Sequence, residues 1–211
     1  MGAARAGGGI SIVATPDDAV AGTAPVQWAI SELARSLEGR GISVFRCESV
    51  SQAKAGDVCV VAAGAASDAA VSAFKGWRGE TPSSAEALGI LPTVVDKRRV
   101  ILACGYDVRG LVYALLELAD RVQNTAEPVA ALSTSAAIVE GPVNSVRGIN
   151  RLFTSDVEDK PWYNDREMWP QYLTLLASQR FNRFSLAFGI GYDFIRQVTD
   201  AYFLFAYPFL L

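Results

Sequence analysis

Apolar positions in the first part of the chain alternate between the spacing of strands and the spacing of helices. Short apolar runs at Ile10–Ala14, Ile42–Phe45 and Asp57–Ala62 predict three strands, and the third, apolar throughout, is expected inside a sheet. Between the first two runs, apolar residues recur every three or four positions. This pattern predicts a helix that begins near Thr23 and ends at Gly39.

Two further strands and a second long helix follow. Thr93–Val95 and Arg99–Ala103 flank a polar turn and predict a hairpin. Asp107 is a suitable N-cap for the helix that comes next. Shorter helices are expected at residues 67–74 and 83–88. The apolar face of the long helix comprises Val108, Leu111, Val112, Leu115, Leu118, Ala119 and Val122.

Five strands and two long helices in this order predict a small α/β sandwich with a mixed sheet and helices on one face. We place this domain at residues 1–141, because Gly141 and Pro142 interrupt the pattern. The hydrophobic content of 51% and charged content of 19% are typical of a packed core and not of a disordered chain.

Residues 142–211 form a second predicted domain. Strands are expected at Ser145–Leu152 and Phe181–Ala187, with a loop at residues 154–164 and a helix up to about Arg180 between them. A strand, helix and strand at this spacing predict a parallel pair. A parallel sheet needs cover on both faces, so we expect an incomplete (β/α)₈ barrel, whose full length is about 250 residues.

Composition excludes several functions. The sequence contains no histidine, which excludes Ser-His-Asp and Cys-His catalysis and a histidine-ligated metal in this chain. A net charge of -3 argues against a nucleic-acid partner or a polybasic membrane surface. Three cysteines without metal-type spacing predict free, buried thiols. With no signal peptide visible, a cytoplasmic location is expected.

Two stretches carry a family resemblance. Val100–Ala119, with its strand ending in glycine and its Tyr-Ala-Leu-Leu-Glu-Leu helix, resembles the last strand and helix of the amino-terminal domain of β-N-acetylhexosaminidases and α-glucuronidases. Val146–Asn150 resembles the first barrel strand of these glycoside hydrolases. Trp169–Leu186, with Arg180 and Asn182, resembles their first barrel helix and second strand.

The resemblance implies the amino-terminal part of a glycoside hydrolase that cleaves O-glycosidic bonds and is inactive as this piece. It implies a carbohydrate substrate, no cofactor and no metal, and catalytic carboxylates on later barrel strands. Within this chain we therefore assign no catalytic residue. The alternative is a non-enzymatic carbohydrate-binding or interaction module, because the first domain is complete and no catalytic pair is visible.

Five residues are candidates for substrate binding. The resemblance implies that Arg147 grips sugar hydroxyls, whereas Asn182 is expected to fix strand geometry. Barrel active sites form at the carboxyl ends of strands. Residues near the ends of the first and second strands, and in the loop after the first, are therefore candidates for substrate contact. These candidates are Arg147, Asn150, Arg151, Trp162 and Tyr192.

A nucleotide site is the third hypothesis. Gly105 and Gly110 flank a short turn before a helix, as in dinucleotide-binding loops. The spacing differs from Gly-x-Gly-x-x-Gly, and the turn lies at the end of the domain instead of after its first strand. We expect no nucleotide there.

Overall fold

The computed structural model describes residues 8–77, 81–153 and 156–188. The chain divides into two compact units, Met1–Val143 and Asn144–Leu211. This division lies close to the Gly141-Pro142 interruption in the sequence.

The first unit is built on a mixed sheet, as predicted, which has six strands instead of the expected five. Its order is β2-β1-β3-β5-β4-β6, in which β2, β1, β3 and β5 run parallel and β4 runs antiparallel to both of its neighbours. The strand β3 lies inside the sheet, as its continuous apolar sequence predicted. The strands are β1 Ile10–Ala14, β2 Val44–Cys47, β3 Val58–Gly64, β4 Leu88–Val95, β5 Arg98–Gly105 and β6 Ile138–Glu140.

Two long helices, α1 Ala24–Gly39 and α3 Val108–Gln123, pack against each other on one face of the sheet, as expected. The shorter α2, Asp68–Gly76, covers the other face, where its Phe74 joins a core with residues such as Leu102, so the helices are not confined to one face as the sequence predicted. Because successive side chains of a strand point to opposite faces of the sheet, each strand contributes apolar residues to the cores on both faces. The fourth helix of this unit, α4 Pro128–Leu132, is also short.

Helix starts follow the expected capping chemistry at two of three places. The Asp107 carboxylate accepts the amide of Gly110 at 2.9 Å, and the Ser67 hydroxyl accepts that of Ala70 at 3.2 Å. Thr23 occupies the N-cap position of α1, but its hydroxyl donates to the carbonyl of Val20 at 2.8 Å. The first turn of α1 therefore has no side-chain cap.

The hairpin is confirmed, and one predicted helix is wrong. Asp96 and Lys97 have φ values of 50° and 66°, which is typical of a type I′ turn between β4 and β5. The helix expected at residues 83–88 is instead a turn, after which β4 begins at Leu88. Glu86 has a φ of 63°, which a right-handed helix does not accept, and its amide donates to Asp107.

The second unit contains a parallel pair of strands, as predicted. Its elements are β7 Gly148–Phe153, α5 Asp156–Tyr163, α6 Met168–Ser178 and β8 Arg183–Phe188. The prediction of a loop at residues 154–164 is therefore wrong for most of that segment, which forms the short helix α5. Its composition is polar and it contains Pro161, so apolar periodicity did not reveal it.

Candidate functional site

The two strands of the second unit present two faces of different character. Phe184 of β8 contacts Trp169 and Tyr172 of α6, with ring centroids 5.9 and 5.8 Å apart. Its register partner Ile149 shares this helix side. Because side chains alternate along a strand, Asn150 and its neighbours of the same parity lie on the opposite side.

Asn150 lies on the side away from α6. Its register partner there is Ser185, and both residues are exposed. The same side carries Leu152, whose side chain is 44% exposed. In a (β/α)₈ barrel the helices cover the outside of the strands, so the barrel that the sequence predicts would have the side away from α6 in its interior.

Arg151 and Trp162 are brought together by the fold. The Arg151 guanidinium lies 4.3 Å from the centre of the Trp162 ring, a cation–π distance. The indole N–H of Trp162 donates to the buried carboxylate of Asp159 at 2.7 Å. These contacts orient Trp162 within its own unit.

Trp162 is also part of an aromatic cluster. Its ring meets those of Phe153, Tyr163 and Trp169 edge to face, with centroid distances of 5.8 to 6.1 Å. Such pairs add stability beyond the apolar area that they bury. The cluster anchors α5 and α6 to β7, and it explains why the polar segment after β7 is ordered as a helix.

Arg147 lies just before β7, at the end of the strand opposite to the carboxyl end. Its guanidinium donates to the backbone carbonyls of Arg180 at 2.7 Å and Asn144 at 2.8 Å. Asn182 accepts the Arg147 amide at 3.0 Å and donates to the Ser145 carbonyl at 2.8 Å. Asn182 thus fixes strand geometry, as the sequence predicted.

The structure therefore groups Arg151 with Trp162, and separates both from Asn150 and Arg147. Tyr192 lies outside the described residues. Substrate contacts by the five predicted residues remain predictions.

The first unit has a crevice where parallel strands diverge. From β1 the chain crosses to β2, whereas from β3 it proceeds towards the opposite edge of the sheet, so β1 and β3 border a topological switch point. Asp18 fills this position. Its carboxylate accepts the amides of Val20 at 2.9 Å, Ala21 at 2.8 Å and Gly64 at 2.9 Å. Sequence patterns gave no sign of this role.

In the turn that resembles a dinucleotide-binding loop, backbone atoms of this protein fill the space next to Gly105 and Gly110. A Cβ atom at Gly105 would lie 2.0 Å from the amide nitrogen of Leu111, and one at Gly110 would lie 2.2 Å from the carbonyl oxygen of Ala87. These glycines allow α3 to pack closely on its neighbours. Their purpose in this fold is therefore close packing.

The three thiols are free, and two of them are buried. Burial raises the pKa of Cys104 to about 12 and that of Cys59 to about 11. Burial also raises the pKa of the half-buried Cys47. A thiol that stays protonated at neutral pH is a poor nucleophile, so none of the three is suited to catalysis.

The described residues offer neither a membrane-spanning helix nor a metal site. None of their helices has the length and apolar character that a membrane span needs. Residues 8–77, 81–153 and 156–188 also contain no group of three or more Cys, Asp or Glu side chains arranged to hold a metal ion.

Comparisons with known proteins identify the fold. No family model matches the chain, and no curated protein matches it. Among solved structures, it is similar to a GH138 enzyme targeting pectin rhamnogalacturonan II, with a TM-score of 0.56 and 18% identity over 84% of this chain and 18% of that one.

A second similar structure is a GH115 4-O-methyl-α-glucuronidase with specificity for decorated arabinogalactans. Its TM-score is 0.56 at 14% identity, over 86% of this chain and 25% of that one. The chain thus has a glycoside hydrolase-like fold and spans about a fifth to a quarter of the length of these two enzymes.

Proposed function

We propose that this chain is the amino-terminal part of a glycoside hydrolase that cleaves O-glycosidic bonds in a carbohydrate substrate. In this proposal, the first unit is a non-catalytic α/β domain. The second is the opening strand, helix and strand of a (β/α)₈ barrel. The observation that carries it is the fold likeness to two glycoside hydrolases over 84% and 86% of the chain, which includes residues of both units.

The substrate in this proposal is a glycan that contains uronic acid. The sequence resemblance left hexosaminidases and α-glucuronidases open, and the likeness to a 4-O-methyl-α-glucuronidase favours the second type.

Catalysis in this proposal depends on carboxyl groups outside this chain. Glycoside hydrolysis uses two carboxyl groups on either side of the scissile bond, one as acid and one as base or nucleophile. We assign neither role to a residue here. The 211-residue chain alone is accordingly expected to have no measurable turnover.

Asn150 is the residue that we assign to the substrate side. It is exposed, it lies on the strand side away from α6, and its amide both donates and accepts hydrogen bonds, as recognition of a sugar hydroxyl requires. Arg147, Arg151 and Trp162 have protein partners instead, which favours a role in holding β7 and its helices in position.

The size and activity of the native protein in its source cells test this proposed function. Antibodies against the first unit should capture from the source cells a protein much larger than 22.5 kDa that releases uronic acid from aryl glycosides or oligosaccharides. A native protein of 22.5 kDa, or robust turnover by the 211-residue chain, would contradict the proposal.

Substitution of Asn150 tests its assignment in the same native-length protein. Asn150→Ala should lower kcat/KM by about tenfold or more, the effect of one lost hydrogen bond in the transition state. Asn164→Ala is the matched control, because Asn164 is exposed and bonds to Lys160 through its backbone amide, which alanine retains. Equal activities of the two variants would remove Asn150 from the substrate site.

A further inference from the structure

A cleft of about 370 Å³ opens between α1 and the carboxyl ends of β1 and β2. Its volume falls within the range of about 300–1,000 Å³ that is typical of small-molecule sites. Nothing in the sequence pattern or in the proposed barrel site involves it. It is lined by Ile12, Ala14, Pro16, Gly22, Gln27, Ile30, Arg46, Cys47 and Glu48.

The position of this cleft meets part of a general rule for open α/β sheets, in which ligands bind outside the carboxyl ends of parallel strands at a topological switch point. The cleft lies outside the carboxyl ends of the parallel strands β1 and β2, next to the switch point and not at it. The Asp18 carboxylate already fills the crevice between β1 and β3. The cleft opens on the other side of β1, beside the uncapped first turn of α1, where the helix dipole favours negative charge.

Arg46 supplies the cleft with a positive charge and with hydrogen-bond donors. It lies opposite Ile12 in the register of β1 and β2, and therefore on the side of the sheet that α1 covers. Within the part of the chain that the structure describes, the guanidinium of Arg46 makes no hydrogen bond and no ion pair. A guanidinium presents donors in a fork that fits the two oxygens of a carboxylate.

The other lining residues divide into an apolar floor and a polar rim. Ile12 and Ile30 are buried and supply the floor with Ala14. At the rim, the Gln27 side chain donates its N–H to the Ala21 carbonyl at 3.0 Å, which leaves its oxygen as an acceptor. The carboxylate of Glu48 is a second acceptor.

We propose that this cleft binds a single uronic acid residue of a glycan. Arg46 holds the carboxylate, Gln27 and Glu48 accept hydrogen bonds from ring hydroxyls, and the floor packs against the C–H groups of the ring. Glu48 also disfavours a second negative charge in the cleft, so a monocarboxylate is selected over a phosphate. The choice of a sugar rests on the proposed function, whereas the carboxylate requirement rests on Arg46.

Titration of the 211-residue chain with glucuronate and galacturonate, followed by NMR or calorimetry, tests the proposal. Saturable binding is expected, and glucuronamide, which has no charge, should bind at least about tenfold more weakly. Arg46→Gln should weaken binding by a similar factor. Arg99→Gln is the matched control, because Arg99 is also an exposed strand arginine with no bonded partner in the described residues.

A second variant tests the selection against phosphate. Glu48→Gln removes the repulsive charge and should improve binding of glucose 6-phosphate relative to glucuronate. Equal binding of glucose and glucuronate, equal competition by acetate, or unchanged binding by Arg46→Gln would overturn the inference.

The experiments distinguish a failure of the glycoside hydrolase proposal from a failure of the uronate-binding proposal. A native enzyme that hydrolyses glycosides while this cleft binds no uronate contradicts only the cleft. Uronate binding through Arg46 by a native protein of 22.5 kDa without turnover contradicts only the enzyme.

Discussion

The carboxylate of Asp18 accepts the backbone amide of Gly64 at 2.9 Å, and this bond ties the loop after β1 to the end of β3. Two more amides, of Val20 and Ala21, reach the same carboxylate. Three converging N–H groups are a typical anion site, and here the anion belongs to the protein. The crevice that would receive a ligand in a related fold is thus filled by a side chain.

Removal of this carboxylate should destabilise the first unit. Asp18→Ala leaves three amides without their acceptor, and we expect a loss of about 2 kcal/mol or more in the free energy of unfolding, measured with urea. Formate, which replaces the lost carboxylate, should restore part of the stability of this variant only. The control is Asp17→Ala, an exposed neighbour whose removal should change stability by less than about 0.5 kcal/mol. Equal stability of both variants would show that the three bonds contribute nothing.

Two glycines on long helices should respond in opposite directions to alanine. A Cβ atom at Gly110 would lie 2.2 Å from the carbonyl oxygen of Ala87, so Gly110→Ala should cost about 2–3 kcal/mol. At Gly39 nothing lies within 4 Å of such an atom, so Gly39→Ala should gain about 0.5–1 kcal/mol. Thermal unfolding of both variants checks the contrast, and a tolerated Gly110→Ala would mean that α3 can move away from β4.

Much of the first unit could be predicted from its sequence because its elements bury continuous apolar patterns. The strand Ile10–Ala14 and the helix after Asp107 begin and end as their patterns indicate. Elements held by tertiary contacts escaped prediction. The three-residue strand β6 is too short to show a period, and β4 begins at Leu88, where the sequence indicated a helix.

The candidate sites were less predictable for a physical reason. The sequence places Arg151 and Trp162 far enough apart that only the turn of α5 brings the cation over the ring. The role of Asp18 depends on Gly64, which is 46 positions away. The cleft beside Arg46 exists because β2 pairs with β1, and pairing partners are not encoded in local periodicity.

The guanidinium of Arg147 is predicted to hold the second unit together. It reaches two backbone carbonyls on different segments, of Asn144 and Arg180, which the single ammonium of lysine does not span. Arg147→Lys should therefore speed amide exchange in β7 and β8 by about tenfold, equivalent to about 1.4 kcal/mol. Arg183→Lys, at an exposed strand position, is the control. Unchanged exchange in Arg147→Lys would restore Arg147 as a candidate for substrate contact.

The buried thiols predict a loss of stability at alkaline pH. The pKa of Cys104 is about 12 and that of Cys59 about 11 in the folded protein, whereas a cysteine in the unfolded chain ionises near its ordinary value of 9.0. Burial favours the protonated form in the folded state. As pH rises above about 9, the unfolded chain loses these protons first, so unfolding becomes easier. The decline due to Cys59 should level off near pH 11, and that due to Cys104 near pH 12.

Urea unfolding of the wild type and of Cys104→Ala between pH 7 and about pH 10.5 isolates this effect from other groups that titrate in the same range. Cys104→Ala is expected to be less stable at pH 7, because it leaves space in the core, but to lose less stability as pH rises. Cys47→Ala, at a half-buried position with a smaller effect on the core, is the matched control. Parallel stability curves for the wild type and Cys104→Ala would mean that this thiol ionises equally easily in the folded and unfolded states, which is incompatible with its complete burial in β5.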